Sequence, residues 1–263
     1  MRMCILRRRP IRILAVLASG LGLVLTLGAA ASPEALAATQ VAAGAPAAAG
    51  GSWGSAQEVA AALNTGGFAE VNSVSCAKAG NCSAGGFYTD NSGNAQAFGV
   101  SSRNGAWGTA KEIPGSGTLN KGGYVKIDSV SCAKAGNCSA GGHYLSSSGH
   151  AQGFVVTETN GTWGSLQRVA AALNTGRFAG INSVSCASAG NCTAGGFYTP
   201  SSGPAPAFAV NQTNGTWGPV QKVAAALNTG GAAINSMSCP SVGHCSAGGY
   251  ITDGAQAFVA DET

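Results

Sequence analysis

Four tandem copies of a segment of about 54 residues predict an all-β fold, a four-bladed β-propeller built from four-stranded antiparallel blades. Two independent spacings support this prediction. Four tryptophans lie 54, 56 and 54 residues apart, and the first cysteines of four C-x5-C pairs lie 56, 54 and 53 residues apart. Units of four short strands that repeat at this length are typical of propeller blades. The tryptophans are Trp53, Trp107, Trp163 and Trp217.

The third copy displays the four strand signals in order. They are INSVSC (181–186), CTAGGFYT (192–199), AFAVNQT (207–213) and TWGPVQKV (216–223). The third and fourth are joined by Asn214-Gly215, a strong hairpin signal because both central positions of the favoured turn need positive φ. Asn104-Gly105 and Asn160-Gly161 repeat it. The AAALNTGG segment then leads to the next copy, and we expect it to form one helical turn.

The repeated region begins and ends out of phase with the blades. It opens on SWGSAQEV (52–59), which matches a fourth strand, and ends on AQAFVADET (255–263), which matches a third. We therefore expect the N-terminal strand to join the last blade and close the ring, which would cover an exposed sheet edge. The alternatives are an open row of hairpins, a two-layer sandwich and an eight-bladed ring of two chains. We expect a monomer.

The first residues have the composition of an export signal. A basic segment (1–12) precedes an apolar run (13–28), and Ala35-Leu36-Ala37 fits a cleavage site, as does Ala29-Ala30-Ala31. The apolar run is shorter than the roughly 20 residues that span a bilayer, so cleavage is favoured over an uncleaved anchor. The predicted organisation is a signal peptide at 1–37, a flexible linker at 38–50 and the propeller at 51–263. The predicted location is extracellular.

Charge argues against several partners. The formal net charge of +4 comes from the first 37 residues, since the remainder holds nine basic and nine acidic residues. No basic block is left to neutralise phosphates, so nucleic acid is not expected as a partner. Neither a cofactor nor a membrane contact after signal cleavage is expected.

The cysteine pattern predicts local disulfides, because an even number at fixed spacing behind an export signal is typical of secreted proteins. A metal site would need closer cysteine spacing or added histidines, and His143, His150 and His244 share no register. The predicted pairs are Cys76–Cys82, Cys132–Cys138, Cys186–Cys192 and Cys239–Cys245.

Other repeated residues have structural explanations. The tryptophans are expected to wedge between blades, with a sugar-stacking platform as the alternative. A mid-strand phenylalanine set should lie in the core, and the Gly-Gly pair of each second strand indicates close backbone approach. The phenylalanines are Phe98, Phe154, Phe208 and Phe258.

The sequence contains no G-x-S-x-G nucleophile motif at a strand-to-helix turn, no H-E-x-x-H and no Walker loop, so enzyme activity stays uncertain and a binding protein is favoured. An exported hydrolase or lyase that draws acids such as Asp90, Asp128 or Asp253 from single blades is the alternative. The second copy diverges most from the others, as expected of a catalytic blade. Its distinctive residues are Lys121, Tyr124, Lys126, Asp128 and His143.

The sequence motifs of the repeats resemble those of two known groups of proteins. The T-x-T-N-G-T-W segments resemble the Asp-box of sialidases, but Thr159 or Thr213 replaces the acid and the spacing is one residue short. The sialidase arginine cluster is also missing, since only Arg103, Arg168 and Arg177 follow the signal. More closely, SVSCASAGNCTAGGFY (183–198) and its copies resemble a large group of secreted actinobacterial repeat proteins. That resemblance covers nearly all of 51–263 and implies export and propeller repeats, without an assigned activity.

One face of the predicted propeller is richer in loops and carries a repeated set of amides and tyrosines. Neutral amides and aromatic rings suit sugars better than anions. We therefore predict a secreted, non-catalytic propeller that binds extracellular or cell-wall glycan, with a protein-interaction scaffold as a further alternative. A helix-end or turn role for the asparagines is the structural alternative. The candidate residues are Asn64, Asn120, Asn174 and Asn228 with Tyr88, Tyr144, Tyr198 and Tyr250.

Overall fold

Each of the four sequence copies folds into one antiparallel sheet, and the sheets are the successive blades of an all-β propeller. The structure is a computed structural model that describes residues 51–227, 230–252 and 255–263. The predicted signal peptide (1–37) and linker (38–50) lie outside the described residues. All strands lie in the unit Ser55–Thr263. Within the described residues, no helix is both long enough and apolar enough to cross a membrane.

The strands follow the predicted meander. The first strands are β1 (Ala69–Lys78), β6 (Val125–Lys134), β11 (Ala179–Ser188) and β15 (Ala232–Ser241). The second strands are β2 (Asn81–Thr89), β7 (Asn137–Leu145), β12 (Asn191–Tyr198) and β16 (His244–Ile251). The third strands are β3 (Ala95–Arg103), β8 (Ala151–Thr159), β13 (Ala207–Thr213) and β17 (Gln256–Asp261).

The fourth strand is continuous only in the third blade, as β14 (Thr216–Val223). In the first two blades it is divided into β4 (Ala106–Trp107) with β5 (Lys111–Glu112), and β9 (Thr162–Trp163) with β10 (Gln167–Arg168). The connection after β5 contains the one helix of the described residues, α1 (Ser116–Leu119). It lies in PGSGTLN (114–120), the connection that lacks the AAALNTG sequence. Two of the AAALNTG segments form the predicted single turn, in which the N–H groups of Asn64 and Asn174 donate to the carbonyls of Ala60 and Ala170 at 3.0 and 2.8 Å.

The Asn-Gly turns form as predicted. Asn160 and Gly161 have φ values of 51° and 83°, and the other two turns match them closely. Both positions are left-handed, which is the geometry that lets a two-residue turn follow the twist of its strands.

The core lies between the blades and contains the predicted aromatic residues. Phe98, Phe154 and Phe208 are fully buried, and Trp163 is 8% exposed. The Gly-Gly pairs allow close approach, because a Cβ on Gly86 would overlap the Glu70 carbonyl of the paired strand. The predicted packing roles of the phenylalanines and of the Gly-Gly pairs are confirmed, as is that of Trp163. Trp107 and Trp217 are half-buried. The prediction is wrong for Trp53, which is fully exposed because residues 51–58 form no strand.

Neighbouring blades are joined by a repeated pair of serine contacts, here named the serine ladder. Ser73 Oγ accepts a hydrogen bond from the Val130 N–H at 2.9 Å, and Ser75 Oγ accepts one from the Cys132 N–H at 3.0 Å. The serines of the second blade accept in the same way from the third, and those of the third from the fourth. The S-V-S-C motif therefore sets the position of each following blade.

All four predicted disulfides form, each between the end of a first strand and the start of the second. Each therefore closes a hairpin inside one blade.

The sequence predicts that the ring closes when the N-terminal strand joins the last blade. No hydrogen bonds of this kind occur among the described residues. Residues 51–58 form no strand, and the fourth blade is a three-stranded sheet of β15, β16 and β17. β1 packs on β6, β6 on β11, and β11 on β15, but no comparable packing joins β15 to β1.

Candidate functional site

The predicted asparagines occupy structural positions. Asn120 and Asn174 are each 7% exposed, and their amide groups donate to the carbonyls of Ala95 and Ala151 at 2.8 and 3.0 Å. They tie each blade connection to the third strand of the blade it leaves. Asn64 is half-buried, and its Oδ1 has no hydrogen-bond partner. Asn228 lies outside the described residues.

Three of the predicted tyrosines lie in the core. Tyr88, Tyr144 and Tyr198 are 5%, 2% and 3% exposed. Burial, together with the Glu112 carboxylate that accepts a 2.8 Å hydrogen bond from the Tyr88 hydroxyl, raises the pKa of Tyr88 well above its usual range. Burial also raises the pKa of Tyr144, against the lowering effect of Arg168. These rings are enclosed by protein and do not present a surface to solvent.

Tyr250 is out of register with the other three tyrosines. It directly follows the Gly-Gly pair and is paired with Ala233, whereas Ile251 takes the position that corresponds to Tyr88. Side chains alternate along a strand, so this shift places Tyr250 on the opposite face, where it is 44% exposed. Its counterparts on that face are Phe87, His143 and Phe197.

This opposite face carries a row of aromatic rings across the first two blades. Phe68 lies 5.5 Å from Phe87, Phe87 lies 5.8 Å from Tyr124, and Tyr124 lies 5.7 Å from His143, measured between ring centroids. Phe68 is 55% exposed, and the other three rings are half-buried. The row leads to the distinctive residues of the second blade.

Three of those residues form a charged cluster. The Asp128 carboxylate lies 2.8 Å from Lys126 Nζ through one oxygen and 2.9 Å from His143 Nδ1 through the other. All three belong to the hairpin of β6 and β7, where Lys126 is paired directly with His143. Burial acts to lower the pKa of Lys126, but the hydrogen bond and charge of Asp128 more than offset it, and the pKa is raised.

The cluster lines a cavity of about 430 Å³ between the second and third blades. The third blade contributes two rings, Phe178 and Phe197, and the amide of Asn182. Phe178 is 55% exposed, and Phe197 and Asn182 are half-buried. The cavity therefore combines aromatic surface with a carboxylate, an ammonium, an imidazole and an amide.

The cluster replaces smaller or neutral residues of the other blades. Asn182 of the third blade corresponds to Asp128, Gly180 to Lys126, and Phe197 to His143. All three differences line the same cavity, so this cavity differs chemically from the equivalent sites between the other blades.

The geometry limits the chemistry of this site. Asp128 fixes His143 through Nδ1, while Nε2 forms no hydrogen bond with any described residue. An imidazole held in this way can accept or donate a proton at Nε2. Within the described residues, no group of three histidine, cysteine or acidic side chains could hold a metal ion. Lys121, the fifth distinctive residue, donates to the Gly117 carbonyl at 3.2 Å and does not line the cavity.

The other acids of the catalytic alternative are not brought to this cavity. Asp90 caps an exposed turn, where it accepts hydrogen bonds from the N–H groups of Ser92 and Asn94 and from the Gln96 amide. Burial acts to raise the pKa of Asp90, but these hydrogen bonds more than offset it and the pKa is lowered. Asp253 lies outside the described residues.

Phe178 and Phe197 were missed by the sequence analysis. Their signal was available, because strict alternation in β12 puts Phe197 and Tyr198 on opposite faces. The tyrosine position is buried in the core, and the phenylalanine position is the one that faces the cavity.

Several solved structures match this chain. Neither the family models nor the curated proteins searched include a match. Among solved structures, the chain is similar to a subtype N11 neuraminidase-like protein of A/flat-faced bat/Peru/033/2010 (H18N11), with a TM-score of 0.41 and 13% identity. The match covers 72% of this chain and 51% of that one, so the chain spans about half the length of this neighbour.

Proposed function

We propose that the protein is an exported, non-catalytic propeller that binds extracellular glycan in the cavity beside His143. The observation that carries the proposal is the exposed ring of Phe178 next to the Lys126–Asp128–His143 cluster. Sugars are recognised by stacking their apolar faces on aromatic rings while polar side chains bind the hydroxyls.

The charge of the cavity favours a neutral ligand. Lys126 and Asp128 form an ion pair at 2.8 Å, so the ammonium is already neutralised by a carboxylate. An anionic ligand would have to compete with Asp128 for the same donor. Hydroxyl groups can instead accept from His143 and donate to Asp128 without breaking the pair, while the Asn182 amide donates to the Ile234 carbonyl at 2.7 Å.

Export is part of the same proposal. Disulfides persist in oxidising compartments, and the four that form here fit an extracellular protein. The predicted signal peptide (1–37) supports export by the same argument, whichever route it uses.

The test is sedimentation of the oxidised, exported protein with insoluble peptidoglycan, chitin and cellulose. We expect saturable binding to one of them, weakened about tenfold in Phe178→Ala, since an aromatic contact contributes roughly 1 kcal/mol beyond its area. Phe68→Ala is the matched control, because Phe68 is equally exposed but does not line the cavity. Equal losses in both variants, or no binding to any polysaccharide, would overturn the glycan assignment.

One observation favours a second candidate, an exported hydrolase. The 2.9 Å contact between His143 and Asp128 orients an imidazole as general-base sites do. Incubation with the polysaccharide that binds, followed by mass spectrometry of the supernatant, separates the two candidates. Soluble fragments that disappear in His143→Phe would establish the hydrolase, and their absence is expected for a binding protein.

A further inference from the structure

The two ends of the blade array are complementary to each other. Each blade has a leading face toward the preceding blade and a trailing face toward the following one. The same repeat positions form all three internal interfaces, so they define what each end would bind. Among the described residues, no blade precedes the leading face of the first blade and none follows the trailing face of the fourth.

The leading face of the first blade exposes apolar side chains that are buried elsewhere. Val71 and Val74 are 44% and 57% exposed, whereas their counterparts Ile127 and Val130 are 0% and 6% exposed. In the second blade these two side chains pack on Gly85 of the blade before. The first blade therefore presents an unfilled copy of an interface that exists three times.

The trailing face of the fourth blade presents the matching surface. Val259 is 83% exposed, whereas its counterpart Val155 is fully buried against the following blade. A Cβ on Gly85 would lie 2.9 Å from Ile127, and one on Gly195 would lie 2.6 Å from Met237. A Cβ on Gly248, the corresponding glycine here, would meet nothing closer than 4.0 Å. The groove that receives the next blade is open.

Polar groups at the two ends are also unpaired. Ser236 and Ser238, the fourth-blade members of the serine ladder, are exposed, and their hydroxyls form no hydrogen bond with any described residue. The half-buried Asn64, ahead of the first blade, lacks the third-strand carbonyl that Asn120 and Asn174 bind. Each end lacks the partner that the other end provides.

The carboxylates at the two ends of the blade array would not repel each other if the ends met. At the first internal interface the trailing face offers the hydroxyls of Ser83 and Ser101 to Glu158 on the leading face. At the fourth blade Asp261 takes the position of Ser101, and on the leading face of the first blade Ser102 takes the position of Glu158. Two carboxylates are thereby kept from facing each other.

We infer that each end binds the opposite end of a second copy of this chain, so that two chains close one eight-bladed ring. Within the described residues of one chain, β15 and β1 share no packing comparable to that of the internal interfaces, so the two faces stay available. Each copy carries one leading and one trailing face, and a pair of copies joined head to tail satisfies both. The fourth-strand sequence 52–59 of one copy then completes the sheet at β17 of the other.

The first test is the mass of the oxidised wild-type protein, measured by light scattering during size-exclusion chromatography over a range of concentrations. Two chains per particle are expected. A one-chain mass at every concentration would show that the chain closes on itself or stays open, and assemblies larger than two chains would show that two chains do not close the ring. Either result would overturn the inference.

The second test blocks one end at a time. Gly248→Val fills the open groove and Val74→Asp charges the leading face, and both are expected to give one-chain particles with the β-sheet circular dichroism of the wild type. Val242→Asp is the control, because Val242 is 55% exposed and lies in the disulfide loop of the fourth blade. Two-chain particles from Gly248→Val would overturn the inference.

The third test mixes the two blocked variants. Gly248→Val retains an intact leading face and Val74→Asp an intact trailing face, so a mixture can form one unblocked interface per pair. We expect a two-chain species in the mixture that neither variant forms alone. Its absence would contradict head-to-tail pairing.

Discussion

The Ser101 hydroxyl of the first blade donates a 2.6 Å hydrogen bond to the Glu158 carboxylate of the second. Ser83 donates to the other oxygen at 2.8 Å, and Glu158 is only 1% exposed. A carboxylate is stable at such depth only when its oxygens are hydrogen-bonded. These two hydrogen bonds therefore fix the position of the second blade relative to the first.

Replacement of Glu158 should distinguish the charge from the hydrogen bonds. Glu158→Gln is expected to change the free energy of unfolding by about 1 kcal/mol or less, because Gln212 fills this position in the third blade. Glu158→Ala should cost about 2 to 4 kcal/mol, since it leaves two buried hydroxyls without acceptors and opens a cavity. Urea denaturation measures both. Equal losses would show that Ser83 and Ser101 do not depend on this acceptor.

Replacement of the buried asparagines should affect stability. Asn120→Ala and Asn174→Ala each remove a hydrogen bond to a buried strand carbonyl, and a loss of about 1 to 2 kcal/mol is expected in each. Calorimetry provides the measurement. Asn64→Ala is the matched control and should cost less, because the Asn64 side chain forms no hydrogen bond with the described residues. A larger loss in Asn64→Ala would contradict this account.

The Tyr88–Glu112 hydrogen bond predicts a loss of stability in alkali. The pKa of Tyr88 is raised above its ordinary value of 10.0, so the stabilisation is fully present below pH 10 and is lost as the pH rises through the folded-state pKa. Tyr88→Phe should lose about 1 kcal/mol at neutral pH and should show a flatter decline above pH 10. Unfolding in urea at a series of pH values tests this. A decline as steep as that of the wild type would place the alkaline sensitivity elsewhere.

The second-blade cluster can be converted to the residues of the third blade. The triple variant Lys126→Gly, Asp128→Asn and His143→Phe is expected to keep its melting temperature within a few degrees, because the third blade folds with those residues. Under the proposed function it should lose polysaccharide binding. Retained binding with a retained fold would move the ligand site away from this cavity.

The repeat spacing was sufficient to predict the blades, because strands, turns and disulfides are all local features. The Asn214-Gly215 turn and the Cys186–Cys192 bridge each depend on residues close together in the chain, so the local sequence is enough to predict them. The absence of packing between β15 and β1 could not be predicted, since blade number does not determine the angle between neighbouring blades.

The site was harder to predict, because it depends on which way side chains point. Tyr144 and His143 are adjacent in sequence, yet one is buried and the other lines the cavity. Divergence of the second copy did identify Asp128 and His143, but not their contact, which crosses a hairpin between residues 15 apart. Alignment of the four strand pairs would have placed both residues on the same face.

Every disulfide joins residues six apart in sequence, and none connects one blade to another. Eight cysteines permit 105 pairings, yet the native pairing requires only that each cysteine react with its nearest neighbour in the chain. Loop closure over such short distances is fast and carries a small entropy cost, so oxidation can precede the docking of the blades. An exported chain could thus acquire its covalent bonds as it emerges, one hairpin at a time, without help from a disulfide isomerase.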